Sequence, residues 1–451
     1  MVKPNVVIAH PQLFAHAYTR AEFLDGLLQA LQSRADGMSE LLVGERCGIT
    51  IPTRYAFAMA GYPSVLKKRA VRAEYFDEGR QVPVQLHDPA ALRSEVMIPE
   101  AVVGTQFLVN APKFKAHPWT KVTFSLKNYI GIQHDPQRLI DHDHKLHSKI
   151  VDLQEVIRPG LIAIDGITAG QRTMLTPSPY PLHLIVLGVN PVAVDSVCSR
   201  IIGLDPNSVE HIRLAHERGF GPLALEDIEI CGDVSLAEAQ TRGAGLQLTV
   251  ERVDTILNQR GSQDVHVGTP PDTYDYCWGG CPGSLFEATE IIRQMQPAVH
   301  QEMRPMQFVI GDYHGHLDAN WGRPIFVGDC TKWNGILDGQ TINIESKYIH
   351  RANLDPHHAH SADALRRAIG VIRNLIRHRG KPYLRVRGCP VSVAELVLYS
   401  SVLGRTKNPY LVPEISVRYL YYYLVSKAAF VWRRAWRRHP SYGWRGAIHK
   451  G

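Results

Sequence analysis

Long apolar runs are missing from this 451-residue chain. No stretch approaches the roughly 20 uninterrupted apolar residues that a membrane-spanning helix needs. The first ten residues, MVKPNVVIAH, lack the apolar centre of a secretory signal, so a cytoplasmic protein is expected. Cysteine is scarce: seven residues at this size are too few and too scattered for a disulfide framework. Buried thiols, a nucleophile or metal ligands are the remaining readings. A Walker loop, a GxGxxG turn and a serine nucleophile elbow are also absent, which removes several common chemistries. Repeats and low-complexity segments do not occur. With 45% hydrophobic and 21% charged residues the composition is that of a globular protein, so disorder, coiled coil and collagen are excluded. The length suits two or three domains.

The net charge of +7 is unevenly placed. Ten Lys/Arg residues against Glu414 give the segment from Arg405 onward a charge of +9, leaving −2 on the first 404 residues. A near-neutral body argues against a broad nucleic-acid-binding face, so no nucleic-acid partner is expected. Only the tail is a candidate for an anionic partner.

Short β-rich runs alternate with helical periodicity through the first half. Val6–Ala9, Leu41–Gly44, Val102–Asn110, Leu161–Asp165 and His183–Gly188 read as strands. Glu22–Gln32 reads as an amphipathic helix, and Pro191 opens a buried helix over Val192–Ile202. This rhythm predicts α/β architecture with a largely parallel sheet, whose ligands sit at the carboxyl ends of the strands. The polar stretch Asn258–Asp275 reads as a linker or long loop. Beyond it, helices at Ser284–Met295, Ser361–His378 and Val391–Leu403 alternate with strands at Phe308–Gly311, Ile325–Gly328 and Tyr383–Val386. The expected organisation is therefore one α/β domain over residues 1–250, a second over 276–404 and a basic, aromatic C-terminal helix or tail over 405–451.

Four cysteines fall in the second unit: Cys277 and Cys281 in CWGGCPG, Cys330 in VGDC and Cys389 in RGCP. Each is read as a loop residue following an apolar run or beside glycine, and strand-end loops of one sheet can converge. One reading is that they are simply small buried residues. Zinc accepts four thiolates, but its structural sites usually present paired CxxC knuckles. A CxxxC followed by two lone cysteines is more like an iron–sulfur site, with neighbouring glycines offering backbone N–H groups to the sulfurs. Cys198, on an apolar helix, reads as core.

The GDC and helix-opening GCP motifs resemble the cluster-binding region of the small-subunit family of energy-converting NADH dehydrogenases and nickel–iron hydrogenases. That resemblance implies one 4Fe-4S cluster on Cys277, Cys281, Cys330 and Cys389. The chain departs from the pattern in its CxxxC pair and in having Val391 where a second proline is usual.

The densest polar chemistry lies between Asn110 and Gly166. Lys113, Lys115, His117, Lys121, Lys127 and Asn128 are followed by His134, His142, His144 and His147. Lysine and histidine donors pair with carboxylate or phosphate. A solvated loop with an amphipathic helix is the plainer reading, and HDHKLH can also be read as a metal ligand set. PKFKAH, TFSLKNYIG, RPGLIAIDG, GVNPVAVDSVCSRIIGLDP and GFGPLALEDIEICGD together resemble the family catalogued as domain of unknown function 362, over roughly residues 1–240. The resemblance implies an iron–sulfur protein, although the ferredoxin-like CxxCxxCxxxCP run often appended in that family is absent here.

Two functions follow. In the first, the chain is an oxidoreductase that draws electrons from an external donor such as a ferredoxin. It reduces a small anionic or carbonyl substrate held by Lys115, His117, Lys127 and Asn128 in one pocket at the carboxyl end of the first sheet. In the second, it is a non-catalytic cluster-bearing electron carrier or maturation partner. A metal-dependent hydrolase or lyase using the His-rich loop, with Asp165, Asp195 and His142 as ligands, is a further alternative. Pro413 and Pro440 bracket a helix whose tyrosines, tryptophans and arginines suit a peripheral membrane surface, an acidic protein partner or a homodimer contact.

Overall fold

The computed structural model describes residues 1–34, 37–271, 276–348 and 363–436. Its strands, in chain order, are β1 (Val2–Pro4), β2 (Leu42–Glu45), β3 (Arg72–Tyr75), β4 (Gln81–Gln85), β5 (Glu95–Pro99), β6 (Val109–Ala111), β7 (Lys113–His117), β8 (Lys121–Thr123), β9 (Leu161–Gln171), β10 (Ser178–Tyr180) and β11 (Leu184–Gly188) in the first half. They are followed by β12 (Gln263–Val267), β13 (Met306–Asp312), β14 (Ile325–Leu337), β15 (Gln340–Ile344) and β16 (Leu384–Val386). The helices that matter for the site are α1 (Ala21–Arg34), α2 (Leu146–Val156), α3 (Pro191–Ile201), α4 (Cys281–Met295), α5 (Ala364–Arg377), α6 (Val393–Gly404) and α7 (Pro413–Trp436).

The first sheet runs β3-β2-β1-β6-β9-β7-β8. Its central pairings are parallel, and β8, β10 and β11 add antiparallel edges. The second runs β12-β13-β14-β15 with β16 beside β14; it is parallel except for the β14–β15 hairpin. This is the α/β architecture with largely parallel sheets that the alternating pattern implied. One continuous cluster of buried apolar side chains extends from Val2 and Val43 through Trp119 to Leu285, Phe308 and Val397, so the two sheets share a core. A smaller cluster of Val309, Phe326 and Trp333 covers the other face of the second sheet.

Several sequence readings shift. The first strand is Val2–Pro4, and Val6–Ala9 is a loop. There the backbone bonds go to side chains instead of a ladder: Asn5 N donates to Thr19 Oγ1 and Val6 N to Glu45 Oε2. Only the end of Val102–Asn110 is strand, because Glu100–Val103 forms a helical turn. The stretch read as a linker contains β12, whose Gln263 and Val265 are buried, so the second sheet begins before residue 276. Cys330 lies within β14 instead of in a loop. The tail helix is described as far as Trp436, and Arg437, Arg438, Pro440 and Trp444 lie outside the described residues.

Helix starts follow ordinary chemistry. Asn190 accepts from Val192 N and Ala193 N at the head of α3, with Pro191 in the first turn. Ser392 and Glu395 form a reciprocal capping box on α6.

Candidate functional site

Alternate residues of a strand face one side, so β7 turns Lys113, Lys115 and His117 the same way. All three are buried. Each has a different partner. Lys113 Nζ pairs with Asp165 Oδ2 on β9 at 2.7 Å. Lys115 Nζ donates to the carbonyls of Ala17 and Met174 at 2.7 and 3.2 Å. His117 Nδ1 accepts from the backbone N–H groups of Trp119 and Thr120 at 3.1 and 3.3 Å. An accepting Nδ1 carries no proton, so the neutral ring holds its hydrogen on Nε2. That Nε2 is buried and has no hydrogen-bond partner among the described residues.

Lys115, His117, Lys127 and Asn128 line one cavity of about 40 Å³, together with Glu45, Arg46 and Arg138. The walls come from the carboxyl ends of β1, β2 and β7 and from the 3-10 segment Leu126–Ile132, the region where parallel sheets place ligands. Asn128 is tied up: its oxygen accepts from Lys3 Nζ and Asn5 Nδ2, and its Nδ2 donates to Asn110. It fixes the strand ends and leaves the cavity to the cations. Lys3 in turn pairs with Glu45 at 2.9 Å.

Lys127 is 9% exposed, and its ammonium makes no hydrogen bond or ion pair among the described residues. Burial, with Lys115 and Arg138 nearby, pulls its pKa down to about 7. Burial likewise brings Lys115 to about 7, with Glu287 opposing. Glu287, itself pushed up to about 7 by burial, accepts from Met174 N and Leu175 N at 2.8 and 3.1 Å. Burial holds His117 well below the ordinary histidine range.

The cysteines form a second constellation at the boundary of the two sheets. Cys281 opens α4, Cys277 precedes it, Cys330 lies in β14 and Cys389 follows β16. Gly328 has φ +97°, and a Cβ there would stand 3.1 Å from Cys281 Sγ and 3.7 Å from Cys330 Sγ. A Cβ on Gly280 would lie 2.6 Å from Cys277 Sγ, and Val391 N donates to Cys281 Sγ at 3.4 Å. Cys277 is within electrostatic reach of Asp143, Cys281 and Cys330. Cys389 Sγ approaches Asp143 Oδ2 at 3.8 Å, so the loop before α2 closes over the group. Arg385 adds positive charge near Cys281 and Cys330.

No three His, Cys, Asp or Glu side chains among the described residues are placed to hold a single metal ion. Soft sulfurs cradled by glycine suit a polynuclear iron–sulfur group, which spreads its thiolates wider than one ion does. The His-rich loop disperses. His142 lies edge-on to Trp119, His144 approaches Asp143, and His147 stacks on His211. Asp165 is held by Lys113, while Asp195 accepts from Ser125 N, Ser125 Oγ and Leu126 N. The proposed ligand set of Asp165, Asp195 and His142 therefore does not assemble, because both carboxylates hold the first domain together.

Residues 1–200 match the family model described as domain of unknown function DUF362. A thylakoid-associated protein of Synechocystis sp. is 22% identical over 140 residues, which is 30% of this chain and 44% of that relative. The match thus spans less than half of the relative. Every cavity residue falls within the DUF362 match, and the four cysteines lie beyond it.

Sequence reading passed over Lys3, Glu45, Arg46, Arg138 and Glu287. The pair Glu45–Arg46 directly after an apolar strand was a readable signal, as was Glu287 on the apolar helix GSLFEATE.

Proposed function

We propose that the chain is an iron–sulfur oxidoreductase acting on a small anionic or carbonyl substrate in the Lys115/His117/Lys127 cavity. The observation that carries this reading is the approach of Cys277, Cys281, Cys330 and Cys389 around Gly328 and Asp143, drawn from separate segments of the second unit. These residues would hold a 4Fe-4S cluster, which when bound supplies electrons one at a time.

The protein's own groups account for the rest. Lys127 and the His117 Nε2–H bind and orient the substrate, while Lys115 fixes the Met174 backbone that Glu287 holds from α4. Glu287 stands six residues after Cys281, about 9 Å along the helix axis, so one helix joins the cysteines to the cavity wall. Anaerobic purification with iron and sulfide analysis and a visible spectrum tests it. A preparation with neither iron nor sulfide rejects it.

We also propose that the outer face of the C-terminal region rests on an anionic lipid surface. Among the described residues no helix is long and apolar enough to cross a membrane. α7 instead packs its tyrosine side inward: Tyr419 OH donates to Thr50 O, Tyr423 OH donates to Asp363, and Arg433 pairs with Glu74. Val417, Leu420, Leu424 and Val431 are exposed, and so are Leu365, Ile369, Ile372 and Ile376 of α5. The apolar face of α7 lies within the segment of charge +9, a combination that complements an anionic interface. The relative's description as thylakoid-associated supports a membrane setting. Co-sedimentation of the full chain with anionic and neutral liposomes tests this against the V417S/L420S/L424S variant. Equal recovery in the supernatant from both lipids, or dimerisation through this face instead, refutes it.

A further inference from the structure

The cavity beside His117 has a chemical bias sharper than the reading above requires. Lys115, Lys127, Arg46 and Arg138 bring four cations to its walls. Against them stand Glu45, already neutralised by Lys3; Asp135, which lies 3.7 Å from Arg46 and 3.5 Å from Arg138; and, behind the wall, Glu287, pushed up to about 7 by burial. Lys115 gives its hydrogen bonds to the carbonyls of Ala17 and Met174 and Arg46 to those of Gln133 and Phe76, while Arg138 donates to the Cys47 carbonyl and, at 3.5 Å, to the Asp135 carboxylate that the two arginines share. Carbonyls satisfy donors without cancelling charge. The fourth, Lys127, has no partner at all among the described residues, although it is nine-tenths buried. An ammonium in that position is expensive unless something arrives to pair with it.

His117, in the same lining, adds a donor that is vacant among the described residues, its Nε2–H. The Asn128 oxygen already receives Lys3 and Asn5, so the Asn5 Oδ1, buried without a partner among the described residues, is a lone neutral acceptor set against the surplus of positive charge. A cation is therefore repelled, and a neutral carbonyl leaves the charge surplus standing. The volume of about 40 Å³ admits only one small group, because each water-sized occupant takes roughly 10–15 Å³ on the same measure.

We propose that this cavity is a receptor for one oxyanion group, the terminal phosphate or carboxylate of the substrate, received by the Lys127 ammonium and the His117 Nε2–H. The inference rests on the cavity being the substrate site and is independent of the cluster. Lys115, Arg46 and Arg138 supply the surrounding field, and Glu287 faces Lys115 and Lys127 from α4. Planar and tetrahedral oxyanions both pair with such donors, in charge-assisted bonds about twice as strong as neutral ones.

The test is calorimetric titration of the full, anaerobically purified chain at pH 7 with inorganic phosphate in one arm and acetate in the other. One saturable site for at least one of the two is expected, and the arm that binds identifies the group. Lys127→Met should weaken that binding roughly 10- to 100-fold, the range for losing a hydrogen bond to a charged group. Lys127→Arg, which keeps the charge, should recover most of it. No saturable binding of either anion overturns the proposal, as does unchanged affinity in Lys127→Met. Iron and sulfide measured on the same preparation separate the two readings: binding without iron removes only the cluster, and iron without binding removes only the oxyanion receptor.

Discussion

Replacing Lys127 by methionine is expected to make the ligand-free protein more stable at neutral pH. The side chain is 9% exposed and unpaired among the described residues, and burial brings its pKa from the ordinary 10.5 to about 7. The unfolded chain therefore binds a proton that the fold holds weakly. Each tenfold change in proton affinity corresponds to about 1.4 kcal/mol, so a drop from 10.5 to about 7 amounts to about 5 kcal/mol of destabilisation. Relaxation of the surroundings lowers this, and a gain of about 2–4 kcal/mol in Lys127→Met is a reasonable target. The penalty is fully present below pH 7, where the lysine is charged in both states. It shrinks as pH rises from about 7 to 10.5, because there the folded lysine is neutral while the unfolded one is still protonated. Urea unfolding of both proteins across that range should show a gap that narrows with rising pH. A saturating oxyanion at pH 7 should narrow it too, by stabilising only the wild type. A destabilised Lys127→Met, or a gap that does not change with pH, would refute the picture of an unpaired buried ammonium.

The buried pair on β7 and β9 should behave oppositely. Lys113→Met strands the Asp165 carboxylate and should cost about 3–5 kcal/mol, while adding Asp165→Asn should recover a large part; urea midpoints measure both. Alanine at Cys277, Cys281, Cys330 or Cys389 should lower the iron content and bleach the visible absorbance, whereas alanine at the exposed Cys231 should not. Full iron retention in all four variants would end the cluster assignment.

The elements were readable where local signals and tertiary needs agree. α3 carries its own cap and proline at Asn190–Pro191 and β11 is a short apolar run, and both appear close to where the pattern puts them; β9 starts at Leu161 as expected but runs six residues beyond Asp165 to Gln171. The clustering of Lys115, His117 and Lys127 was visible as residue type and density. Val6–Ala9 is a loop despite its apolar run because Asn5 N and Val6 N, where the first strand ends, are met by the side chains of Thr19 and Glu45, 14 and 39 residues away. β12 was hidden inside a polar stretch, since strand formation there depends on pairing with β13.

By itself the sequence determined the alternation of strand and helix, the basic C-terminal segment and the set of residue types available for chemistry. Those follow from local periodicity and composition, which need no partner. Only the tertiary structure decided which donors are spent and which are vacant. It commits Asn128 to Lys3, Asn5 and Asn110, gives Lys113 to Asp165 and leaves Lys127 without an ion pair among the described residues. It also brings Cys277 and Cys389 to Asp143 in the loop before α2, across as many as 246 residues. Vacancy and convergence depend on where strands end in space, and residue order along the chain does not encode that directly.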